Sequence, residues 1–87
     1  MTNRQSHGSL ESLLEAVDAI PEVGSVGAPM TFTLWVPSEL TFEGRPFPQN
    51  FSLAVVLDKL LGKQFMPRGF TEGAGGRLYH YERESLA

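Results

Sequence analysis

No cysteine occurs anywhere in the 87-residue chain, and that absence sets the terms for any fold it adopts. Without disulfides or thiolate-bound metal, so short a chain is held by buried apolar side chains and backbone hydrogen bonds alone. One core fits this length, so a single domain is expected over residues 9–87, behind a flexible tail at 1–8. Thiol nucleophiles, Cys-ligated zinc and iron–sulfur clusters are excluded on the same ground. A cysteine-free small domain also suits a reducing compartment better than a secreted one. The start of the chain agrees. The apolar stretch behind the polar first residues is broken by Glu11, Glu15 and Asp18, which a signal-peptide core does not tolerate. A cytoplasmic protein is expected. Nothing spans a membrane, because the longest uninterrupted apolar run, Leu53–Leu57, is five residues.

Between Met30 and Val36 the chain alternates strictly. Met30, Phe32, Leu34 and Val36 fall on one side, Thr31, Thr33 and Trp35 on the other, and β-branched and aromatic residues dominate, so this is a strand with one buried face. Pro37-Ser38 ends it. Leu40–Glu43 alternates again, and Gly44-Arg45 suits a tight turn into Pro46-Phe47-Pro48, an edge or arm because neither proline can donate to a ladder.

Two helices flank these strands. Leu10, Leu13, Leu14 and Val17 recur at helical spacing with Glu11, Glu15 and Asp18 opposite. Ser9 is the expected N-cap, and Pro21 ends the helix near Ala19. The second helix runs from an Asn50 cap to about Leu61, with Leu53, Val56, Leu57, Leu60 and Leu61 as its stripe and Gly62 just past its end. Its first two turns are apolar nearly all round, which implies contact on two sides. Phe65–Glu72 and Arg77–Arg83 then read as a hairpin about Gly73-Ala74-Gly75-Gly76, with Pro67 and Gly69 marking a late start or a bulge in its first arm. The expected fold is a small α+β two-layer sandwich. Its order is α-β-β-α-β-β, with an antiparallel sheet of three to four strands and two helices on one face.

No catalytic constellation emerges. His7 and His80 are the only histidines and lie in different segments, so no metal site is expected. No serine sits in a nucleophile elbow. The glycines at 73–76 match neither the phosphate-loop nor the dinucleotide pattern, and no cofactor is expected.

The candidate interaction residues are Trp35, Arg68, Arg77, Tyr79, Tyr81 and Arg83. In the last strand Arg77, Tyr79, Tyr81 and Arg83 share one face, and tyrosines interleaved with arginines can stack on bases and meet phosphates. A helix closing at Gly62 and followed by such a hairpin has the outline of the end of a winged helix, without the helix–turn–helix that fold needs upstream. The charge speaks against this reading. The chain carries ten acidic and seven basic side chains, a net −3, and the basic residues of the rear segment are nearly cancelled by Asp58, Glu72, Glu82 and Glu84. Protein interfaces ask for less positive charge and favour Trp, Tyr and Arg. Two placements of Trp35 follow from its side of the strand: an open sheet face, or a core beneath the second helix. The expected function is a small non-catalytic interaction module that binds a protein partner or itself. The alternative is a nucleic-acid-binding domain using the second helix and the C-terminal hairpin.

Overall fold

The computed structural model describes residues 8–84, so the expected tail lies, Gly8 apart, outside the described residues. In chain order the elements are α1 (Leu10–Asp18), β1 (Thr31–Pro37), β2 (Leu40–Phe42), β3 (Arg45–Phe47), α2 (Gln49–Gly62), β4 (Met66–Gly73) and β5 (Gly76–Glu82). The fold is α+β as expected, with one strand more and two sheets. β1, β5 and β4 form an antiparallel sheet in that order, and β2 pairs with β3 in a separate hairpin.

Ser9 caps α1, its hydroxyl accepting from the Ser12 N–H at 3.2 Å. The helix ends at Asp18 with Ala19 as C-cap, where Pro21 predicts it to stop. At its far end Lys63 donates to the carbonyls of Asp18 and Ile20, and Lys59 bonds the Asp18 carboxylate at 2.8 Å. The basic residues at the end of α2 thus serve the carbonyl end of α1.

The ends of α2 differ from expectation. Its N-cap is Pro48, with no side-chain cap, and Asn50 stands within the first turn. At the other end Gly62 is helical, Lys63 is the C-cap, and Gln64 takes the left-handed seat at φ 72°. The Gln64 N–H reaches Leu61 O and the Phe65 N–H reaches Leu60 O, both at 2.9 Å, while Phe65 and Leu60 are fully buried. This is a Schellman closure with its apolar contact, carrying glutamine where glycine is usual.

The turn between β2 and β3 lies one residue earlier than the sequence suggests, at Glu43 (φ 55°) and Gly44 (φ 79°). Two left-handed central residues define the type I′ hairpin turn, which matches strand twist. Glu43 is held there from outside, because its N–H donates to the Glu11 carboxylate at 2.7 Å. The β4–β5 loop is also shorter than expected, with Gly73 paired to Gly76 across Ala74-Gly75. The expected bulge in β4 is present between Pro67 and Gly69.

Leu10, Leu13, Val17 and Ile20 meet Val56 and Leu60 of α2, Leu34 and Val36 of β1, Leu40, Phe65 and Tyr81 in one core. Both helices therefore pack on the Phe32–Leu34–Val36 side, over β1 and the Tyr81 end of β5, and leave the Trp35 face open, while β4 is exposed along its whole length. The buried line of α2 is Ser52, Val56 and Leu60, whereas Leu57 lies at its margin. The two-sided contact expected of α2 is only half made, since Phe51, Val55 and Leu61 remain exposed.

Candidate interaction surface

Strand pairing decides which side chains share a face. Phe32, Leu34 and Val36 stand beside Tyr81, Tyr79 and Arg77, so the tyrosine–arginine face of β5 is the covered one. Thr33 and Trp35 stand beside His80 and Leu78, which continue on β4 to Gly69 and Thr71. That second set forms the open face.

Trp35 dominates it. A methyl group at Gly73 would lie 2.9 Å from the indole, and one at Gly76 2.8 Å, so the ring rests on bare glycine backbone at the end of the hairpin. The other side of the ring is free, and Trp35 is 38 % exposed. Thr71 and His80 bond across the same face at 2.9 Å, and Arg68 pairs with Glu82 at 2.9 Å towards its far end. The first placement of Trp35 is therefore the observed one, on the open side.

The remaining expected residues fall elsewhere. Arg77 and Tyr79 come together on the helix side, at the rim. The Arg77 guanidinium lies 4.4 Å from the Phe70 ring centroid, bonds Glu72 at 2.9 Å and approaches the Tyr79 hydroxyl at 3.5 Å. The bond to that hydroxyl, opposed by burial and supported by the Glu72 charge, pushes the Arg77 guanidinium further into its charged form. Tyr81 and Arg83, expected as surface contacts, are interior at 5 % and 4 % exposure. Tyr81 packs in the core with its ring 6.5 Å from that of Phe32, and burial, with the neighbouring Tyr79, pushes its hydroxyl above the usual range. Arg83 donates to the carbonyls of Pro29 (2.8 Å), Lys63 (3.2 Å) and Pro21 (2.7 Å) and lies over the Phe65 ring at 4.4 Å.

Sequence reasoning passes over Phe70 and Met66, about half exposed on β4, because the bulge interrupts the alternation that would have sided them. It also passes over the aromatic series Phe42–Phe47–Phe51, with ring separations of 5.5 and 6.5 Å, which joins the small hairpin to the start of α2.

Among the described residues no cluster of acidic or histidine side chains is arranged to hold a metal ion, and no helix is long and apolar enough to cross a membrane. Fold and surface together define a small α+β domain whose sheet is covered on one face over β1 and the Tyr81 end of β5 and open elsewhere. Compared with protein-family models, with curated proteins and with solved structures, the chain has no match.

Proposed function

We propose that this chain is a non-catalytic interaction module that binds a protein partner, or a second copy, through the open side of its three-stranded sheet. The observation that carries the reading is Trp35, seated on Gly73 and Gly76 with its free side outward. A ring already fixed by packing loses little freedom when a partner covers it, and tryptophan is among the side chains most enriched in binding hot spots. The cysteine-free composition supports a cytoplasmic setting.

The basic residues favour this reading over nucleic-acid binding. Lys59, Lys63, Arg68 and Arg77 each face a carboxylate within 4 Å, and Arg83 is spent on backbone carbonyls. Phosphate binding draws on several uncancelled cations converging on one surface. Arg45 is the one described cation outside these pairings.

The test compares the tagged chain with Trp35→Ser by affinity purification from native lysate, with sedimentation of the pure protein for self-association. A protein partner or self-complex held by the wild type, and lost from a variant of unchanged helix and strand content, is expected. Equal capture by both chains would overturn the reading. Salt-sensitive recovery of nucleic acid would replace it with the alternative.

A further inference from the structure

We propose that the outer edge of β1 takes up an extended peptide as a fourth strand, with a lysine or arginine of that peptide meeting Glu15. This rests on the interaction-module reading and names the partner's chemistry.

The edge is defined by hydrogen-bond parity. Arg83 N donates to Met30 O and Ser38 N to Gly75 O, both at 2.9 Å, so the even-numbered residues of β1 turn their backbone groups towards β5. Thr31, Thr33 and Trp35 turn theirs outward, and those groups meet no partner among the described residues. Pro37, next in the outward series, closes the edge, its carbonyl accepting from Gln49 Nε2 at 2.9 Å.

The two edges of the sheet are not alike. β4 carries Pro67, a bulge with Gly69 at φ 116°, and the charges of Arg68 and Glu72. These are the devices that keep an edge from pairing with another chain. β1 has an unbroken register, no charged side chain and a proline only at its end. It is an edge left open.

A groove runs along it. Leu13 and Ala16 of α1 and Phe32 and Leu34 of β1 line its apolar part, Trp35 lies at one margin, and Glu15 is the only charged residue lining it. The other α1 acids are engaged, Glu11 with the Glu43 N–H and Asp18 with Lys59, whereas the Glu15 carboxylate has no ion-pair or hydrogen-bond partner among the described residues. Side chains of an added strand alternate between the two faces of the sheet. Those on the helix side enter the groove, where a lysine lays its methylene stem along Ala16 and brings its ammonium to Glu15. Those on the other side stand beside Trp35 and need only be apolar. A second copy fits less well. Pairing β1 with itself about a two-fold axis would bring together two α1 helices bearing Glu11, Glu15 and Asp18, with no cation on either α1 or β1 to receive Glu15.

The probe is a capped seven-residue peptide alternating lysine with valine, titrated into the full chain. Trp35 is the sole tryptophan, so its emission reports occupancy. The expected result is a saturable change, with new amide-exchange protection at Thr31, Thr33 and Trp35. Replacing the peptide's lysines by glutamate should weaken binding roughly ten-fold or more, and Glu15→Lys should reverse that preference. Thr33→Pro deletes an outward N–H without touching the β1–β5 ladder and should abolish the protection. A peptide N-methylated on alternate residues makes the same deletion from the ligand side and leaves the protein's fold untouched.

Equal binding of both peptides, protection confined to β4, or a sedimenting dimer that protects the same three amides unaided would overturn the proposal. If Trp35→Ser loses a captured partner that Glu15→Lys and Thr33→Pro both retain, the edge assignment falls and the module reading stands. A chain that captures nothing and binds neither peptide sinks both.

Discussion

Arg83 spends its guanidinium on three carbonyls, two at the ends of the α1–β1 loop (Pro21 and Pro29) and one at the close of α2 (Lys63). Removing it leaves those acceptors without their donor in the interior, so Arg83→Ala should cost about 3 kcal/mol, read as a shift in the urea midpoint at unchanged m-value. Arg83→Lys should recover only part, since one ammonium cannot reproduce a planar fork. Tyr81 makes a pH-dependent contribution. Its hydroxyl titrates higher in the fold than in the unfolded chain, because burial disfavours the phenolate. The stability tied to that shift is complete below the unfolded value of about 10 and is lost as pH rises through the folded one. Tyr81→Phe should therefore move the alkaline unfolding midpoint upward and change stability at pH 7 by less than about 1 kcal/mol. These two roles were hidden for a definite reason. The period of two places Arg77, Tyr79, Tyr81 and Arg83 together, but both faces of that strand are mixed in polarity, so pattern alone leaves the buried one open. The pairing of Phe32 with Tyr81 and Leu34 with Tyr79 decides it.

At the scale of elements, α1 was legible from both ends, through Ser9 and Pro21. The limits of α2 were not, because Pro48 fixes its start by backbone geometry where Asn50 offers a side chain, and the left-handed seat at its end falls on Gln64 although Gly62 stands two residues away. That mismatch predicts a gain. Gln64→Gly should stabilise the protein by about 1 kcal/mol, visible as a higher thermal midpoint, while Gly62→Ala, in open helical surroundings, should be harmless or favourable. The apolar stripe of α2 was legible, but its centre was not. Leu60→Ala should cost roughly 2–5 kcal/mol and Leu57→Ala clearly less, since Leu60 is fully buried and Leu57 only partly. Comparable losses in a denaturant series would mean that α2 is rotated about its axis relative to the sheet.

For the molecule as a whole, the two-layer plan and Trp35 as a surface candidate could be read from local patterns, whereas the order β1-β5-β4 and the separate β2–β3 hairpin could not. Both depend on pairings between distant segments, to which alternation within one segment is blind. Hydrogen exchange should display the arrangement directly. Amides of Phe32, Leu34 and Val36 point into the sheet and should exchange slowly, while those of Thr31, Thr33 and Trp35 should exchange fast. Uniform protection along β1 in the isolated protein would mean that its outer edge is already occupied.

The central position of β5 has a further consequence, in time rather than in space. It is the last element of the described chain and the only strand that β1 or β4 pairs with in the larger sheet. During vectorial synthesis β1 emerges well before its partner and waits, apolar and unpaired, until residues 76–82 clear the ribosome. The larger sheet is therefore completed only when β5, already paired locally with β4 across Ala74-Gly75, reaches back to β1. Such long-range closure predicts folding slower than the helical content alone would suggest. It also makes the interval before β5 arrives the period when nascent chains are most exposed to association through β1, whose inner edge is then as open as its outer one.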